Sequence, residues 1–105
     1  MHKRTKAVAI PAKIKKTVEE RDNKCCIFCG SPNARGEAHV ISRAQGGLGV
    51  ERNLVCACRN CHSAMDNSQA RPLYVSKAKD YLKSIYPDWN EKDLIYNKWK
   101  GFKYQ

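Results

Sequence analysis

The chain of 105 residues sets twenty Lys and Arg against ten Asp and Glu, for a net charge of +10, and contains six cysteines. That length bounds it to one domain with a modest core, small enough to gain from a metal staple, and no run approaches the roughly 18 apolar residues of a membrane span. The charge favours a polyanionic partner, nucleic acid foremost, although basic surface can also serve solubility alone. With no secretory segment, six cysteines point to a reducing, cytoplasmic compartment.

In chain order, the first sixteen residues hold His2, Lys3, Arg4, Lys6, Lys13, Lys15 and Lys16 and no acid. They predict a basic arm that tracks phosphates. Pro11 suits a helix start, Ile14 and Val18 share one helical face, and Asn23 suits a stop, so a helix is expected over 12–22.

Two Cys-x-x-Cys pairs follow, Cys26 with Cys29 and Cys58 with Cys61. A tight turn brings residues three apart to the same side, so the four thiolates suit one tetrahedral structural Zn²⁺. The paired spacing favours this over a disulfide framework or a redox dithiol. Gly30 can supply the positive φ that such a knuckle needs. Cys25 and Cys56 lack partners at i+3 and read as spare small residues, although Cys25 replaces Cys26 if the register shifts.

Twenty-eight residues, Gly30 to Ala57, separate the pairs, more than an ordinary zinc ribbon needs. Within them 31–36 reads as loop, 38–41 as a short strand, 45–49 as a glycine-rich break and 53–57 as the returning strand. A helix is expected over 59–69, with no breaker before Pro72. Tyr74, Ala78, Tyr81, Leu82 and Ile85 form a helical packing stripe over 73–86, which Pro87 ends. The tail from Trp89 mixes Trp99, Phe102 and Tyr104 with Lys98, Lys100 and Lys103, suited to base stacking or partial packing. The chain thus divides into a basic arm and helix at 1–24, a zinc-clamped core at 25–70 and a helical, aromatic-basic segment at 71–105.

Inside the cysteine frame His39, Asn53 and His62 stand as His-x13-Asn-x8-His. Together with Ala38-His39-Val40-Ile41, Gly46-Gly47, Asn53-Leu54-Val55 and Cys58-Arg59-Asn60-Cys61-His62, the stretch from Cys26 to Asp66 resembles the HNH endonucleases. The resemblance implies an α+β fold: a small zinc-stabilised ββα-metal (His-Me finger) module, here flanked by N- and C-terminal helices. It also implies a metal-dependent DNA endonuclease of the small stand-alone kind common in bacteriophage and bacterial genomes. His39 is the implied general base. His62 and Asp66, on one face of the helix, are implied ligands of a second divalent ion, for which the carboxylate suits Mg²⁺ or Mn²⁺. Asn53 is implied to hold the intervening loop and so aim His39, although some relatives use it as a ligand.

Where the family commonly carries Asp or His before the base, this chain has Ala38, which coordinates nothing; Glu37 is the nearest substitute, though alternation puts it on the other strand face from Ala38. Arg43 and the basic arm are expected on phosphates. A neutral imidazole with an ordinary pKa near 6.5 can accept the proton of the attacking water, so activity is expected to rise with pH. The same features, with Ala38, also fit a non-catalytic zinc module that binds nucleic acid.

Overall fold

The computed structural model describes residues 3–96, with the side chains of Lys3 and Arg4 outside the description. Six elements frame it: α1 (Lys3–Val8), α2 (Ala12–Arg21), β1 (Arg35–His39), β2 (Leu54–Ala57), α3 (Arg59–Asn67) and α4 (Arg71–Ile85). Short 3-10 turns at Arg43–Gln45, Glu51–Asn53 and Glu91–Leu94 complete it. Trp99, Phe102, Tyr104, Lys98, Lys100 and Lys103, expected to stack or pack, lie outside the described residues.

The helix α2 starts after Pro11 and closes where Asn23 and Lys24 take left-handed φ of 56° and 55°. Lys24 N–H donates to Glu19 O at 2.8 Å across that end, a reversal that lets an asparagine stop the helix. Val18 is fully buried, and a Cβ on Gly36 would stand 2.9 Å from it, so the helix can lie on the sheet only because residue 36 has no side chain. The expected arm is partly helical: Gly49 N–H donates to Ala7 O at 3.1 Å and pins α1 to the loop before β2.

Strands β1 and β2 are antiparallel, pairing Arg35 with Ala57, Ala38 with Val55 and His39 with Leu54. The first two pairings enclose three steps on β1 and two on β2, so a bulge falls at Gly36–Glu37. The strand expected over 38–41 therefore starts earlier, taking Arg35 and Gly36 from the expected loop, and stops at His39. Its early end has a specific cause. Val40 N–H still donates to Asn53 O, but Asn53 N–H turns away to Val50 O, and beyond that point the Asn53 side chain takes Ile41 N–H at 2.8 Å and Ile41 O at 3.1 Å in place of a backbone partner. Asn53 itself closes a 3-10 turn rather than opening β2.

All four β2 residues are buried, as a strand covered on both faces must be. Helix α3 ends at Asn67, two residues short of expectation, because Ser68 turns its Oγ back to Ala64 O at 2.6 Å. Pro72 then stands in the first turn of α4, where its missing N–H costs nothing. Met65, Ala78 and Leu82 are fully buried in the α3–α4 part of the core.

A buried polar network joins these layers. Arg21 Nε and one terminal nitrogen reach Asp22 at 2.7 and 3.0 Å, and the guanidinium also donates to Glu51 O and Leu54 O. Asp22 in turn accepts from Cys56 N–H at 2.9 Å and Tyr81 Oη at 2.5 Å. Cys56 is a core thiol, fully buried and directed at Val18 O. Burial first, and then the Asp22 and Glu19 carboxylates, push its pKa up to about 12.

Candidate active site and metal centre

Each cysteine pair sits on its own turn. Gly30, at φ 80°, lets its N–H reach Cys26 O at 2.8 Å, while Cys58 caps α3 by accepting from Cys61 N–H at 3.4 Å. The sulfurs of Cys26, Cys29, Cys58 and Cys61 all lie within 4.8 Å of one another, with Cys29 and Cys58 at 3.6 Å. Zinc–sulfur bonds of about 2.3 Å set tetrahedral sulfurs roughly 3.8 Å apart, so the set fits a structural Zn²⁺. Cys26, rather than Cys25, supplies the first sulfur. Hydrogen bonding by Ser31, then by Cys26 and Cys58, lowers the exposed Cys29 thiol to about 6, whereas burial and the three neighbouring thiols raise Cys61. Phe28, inside the first knuckle, meets Tyr74 of α4 edge-on at 5.0 Å and so ties the clamp to the last long helix.

On β1 Gly36 and Ala38 are buried, while Glu37 and the largely buried His39 both reach one cavity. Ala38 is fully buried in the core, so its side faces away from the cavity that Glu37 and His39 line. That cavity, about 600 Å³, is completed by Ser42, Arg43, Ala44, His62, Asp66 and Arg71. The two histidines therefore share one open space. His62 lies in the first turn of α3, its N–H on Cys58 O at 2.8 Å, so the zinc knuckle directly orients its helix.

His39 is 6% exposed, and its Nε2 lies 3.0 Å from Val8 O. A carbonyl only accepts, so Nε2 carries the proton in the neutral ring and Nδ1 keeps the lone pair. Burial lowers the imidazole pKa most, and Arg43 lowers it further; the Val8 and Glu37 backbones and Asp66 act in the other direction. Desolvation, more than the positive surroundings, thus favours the neutral ring.

Asn53 is fully buried and spends its amide on the loop between the strands: Ile41 N–H, Ile41 O and, at 2.9 Å, Leu48 O. Gly47 passes so close that a Cβ there would fall 1.7 Å from Ile41 O and 2.9 Å from Asn53 Nδ2. Only glycine fits that crossing. Leu94 O and Gly46 O hold the same loop to the C-terminal segment through Leu48 N–H and Tyr96 N–H.

Across the cavity His62 Nε2 and Asp66 Oδ2 are 3.3 Å apart, the spacing of two donors that can share one ion. Glu37 lines the same space but lies 3.5 Å from Lys15 Nζ, and among the described residues only the four cysteines form a converging set of three or more such ligands. An imidazole and a carboxylate fit a hard divalent ion that keeps several water or substrate oxygens. Of the expected phosphate contacts, Arg43 lines the cavity, whereas Lys6, Lys13, Lys15 and Lys16 lie on α1 and α2 outside its lining. Arg71 lines the cavity and was not singled out in the sequence, where an Arg before Pro72 looks like any solvated charge.

No described helix is long and apolar enough to cross a membrane. The two strands and α3 form the ββα unit expected from the resemblance. A family model, HNH endonuclease, matches residues 26–68, nearly the stretch on which that resemblance rested. No curated protein and no solved structure matches the chain.

Proposed function

We propose, taking residues 26–68 as an HNH endonuclease domain, that the protein is a metal-dependent DNA endonuclease that hydrolyses phosphodiester bonds in a bacterial or phage-infected cytoplasm. The observation that carries this reading is the single cavity on which His39, His62, Asp66 and Arg43 all open. Structural Zn²⁺ would be held by the four cysteines, and Mg²⁺ or Mn²⁺ by His62 and Asp66, with Glu37 as a more distant oxygen donor. When bound, the second ion supplies positive charge where the transition state accumulates negative charge.

His39 does the proton chemistry. With Nε2–H engaged by Val8 O, the Nδ1 lone pair accepts a proton from water as its oxygen attacks phosphorus and the ester oxygen departs. The imidazolium so formed is favoured by the Glu37 backbone and Asp66 and opposed by Arg43. Asn53 contributes by fixing the loop that follows His39, and Arg43 by attracting the phosphate.

Incubation with supercoiled plasmid and Mg²⁺ or Mn²⁺ tests the reading. The native chain is expected to nick, and His39→Ala to lose about 10²- to 10⁴-fold in rate, the usual contribution of a general base, while keeping its zinc and fold. A non-catalytic, nucleic-acid-binding zinc module is the second reading, favoured by the two-donor second site. Equal DNA binding by both proteins without cleavage under any divalent ion would establish it.

A further inference from the structure

Arg71 opens α4 immediately after the turn that folds it back on α3. One of its terminal nitrogens, Nη1, donates to Met65 O at 2.8 Å, in the last turn of α3, where carbonyls lack helical partners. The same nitrogen stands 3.9 Å from Asp66 Oδ1, while the other oxygen of Asp66 faces His62. Nε and Nη2 have no protein partner among the described residues. The side chain is 28% exposed and lines the cavity that holds His39 and His62. An anchored guanidinium with donors left over presents a fixed planar fork, the geometry that matches a phosphate with two parallel hydrogen bonds.

Charge in the cavity makes the same demand. Among the lining residues Glu37 and Asp66 are acidic and Arg43 and Arg71 basic, and Glu37 is also paired with Lys15 at 3.5 Å. Arg71 supplies one of the two guanidinium charges on the cavity wall, so its loss weakens the attraction for a phosphodiester.

We propose that Arg71 is a substrate-binding residue of this site, its free nitrogens gripping the scissile phosphate on the side of the cavity formed by the start of α4. The inference rests on the endonuclease reading. Through Asp66, Arg71 also couples the phosphate grip to the carboxylate at the second metal position, so that both act on one substrate group from one helix junction.

The test separates the two ideas by measuring binding apart from cleavage. In the His39→Ala chain, affinity for a short fluorescent DNA duplex is followed against salt concentration without added divalent ion. Arg71→Gln is expected to weaken binding several-fold and to reduce the slope of log affinity against log salt by about one, the loss of one phosphate contact. Arg59→Gln, an exposed charge outside the cavity lining, controls for the general loss of a cation. An effect of Arg71→Gln no larger than that of Arg59→Gln overturns the proposal, whatever the native chain does to plasmid. If Arg71→Gln loses zinc or melts early, Arg71→Lys replaces it: a single ammonium keeps charge but not the fork, so affinity should still fall, and unchanged affinity overturns the proposal. Plasmid nicking by the native chain, scored separately, reports on the endonuclease reading alone. Where it nicks, Arg71→Lys should slow single-turnover cleavage at least tenfold.

Discussion

At the scale of single residues, the proposed chemistry depends on how dry His39 is. Burial of an imidazole that is only 6% exposed disfavours its cation and outweighs the opposing effect of the Nε2–H bond to Val8 O. Arg43 adds to that effect, and Glu37, Asp66 and Val8 O face the ring from the other elements around it. The acid limb of single-turnover cleavage should therefore have its midpoint below the ordinary 6.5 of histidine, and a midpoint near or above neutrality would contradict the assignment of His39 as base. Because the folded pKa is lowered, the contribution of His39 to stability is complete above the unfolded value and is lost as pH falls through the folded one. The identity of His39 was legible from its spacing to Asn53 and His62. Its desolvation was not, because the cover comes from Val8, thirty-one positions earlier.

At the scale of elements, α2, β2 and α4 are joined by two adjacent residues that carried no motif. Arg21 and Asp22 are held by hydrogen bonds to Glu51 O, Leu54 O, Cys56 N–H and the Tyr81 hydroxyl, with Asp22 wholly enclosed. Cutting Asp22→Ala leaves the half-buried Arg21 guanidinium without its counter-charge and Cys56 N–H without an acceptor. Such breaks typically cost about 3–5 kcal/mol, to be read from urea unfolding, whereas Glu20→Ala on the exposed side of α2 should stay within about 0.5 kcal/mol. Equal effects of the two would remove the network from the account of stability. The helices α2 and α4 were visible as apolar stripes over 12–22 and 73–86, close to where they lie. The early end of β1 was not, because Asn53 turns its N–H to Val50 O and gives its side chain, not its backbone, to Ile41.

For the whole molecule, the cysteine cluster and the proposed cleavage site are one mechanical unit, since Cys58 caps the helix whose first turn presents His62. A four-thiolate site of this kind contributes folding free energy of about 10 kcal/mol. One zinc per chain is expected, and its removal by a strong chelator at mildly acidic pH should collapse the circular-dichroism signal together with activity. Brief EDTA treatment that takes only the second ion should stop nicking and leave the spectrum intact. Retention of the fold after complete zinc loss would show that the core stands without the clamp.

The sequence by itself determined the metal frame and the identity of the central histidines and asparagine, because thiolate chemistry and turn geometry act over a few residues and leave a spacing that can be read directly. Tertiary structure alone decided which groups meet in the cavity: that Ala38 is buried in the core while Glu37 and His39 line the cavity, that α1 covers His39 through Val8, and that Arg71 enters from a helix outside the motif. Those outcomes depend on long-range packing and on where burial removes water, and neither leaves a periodic trace in the chain.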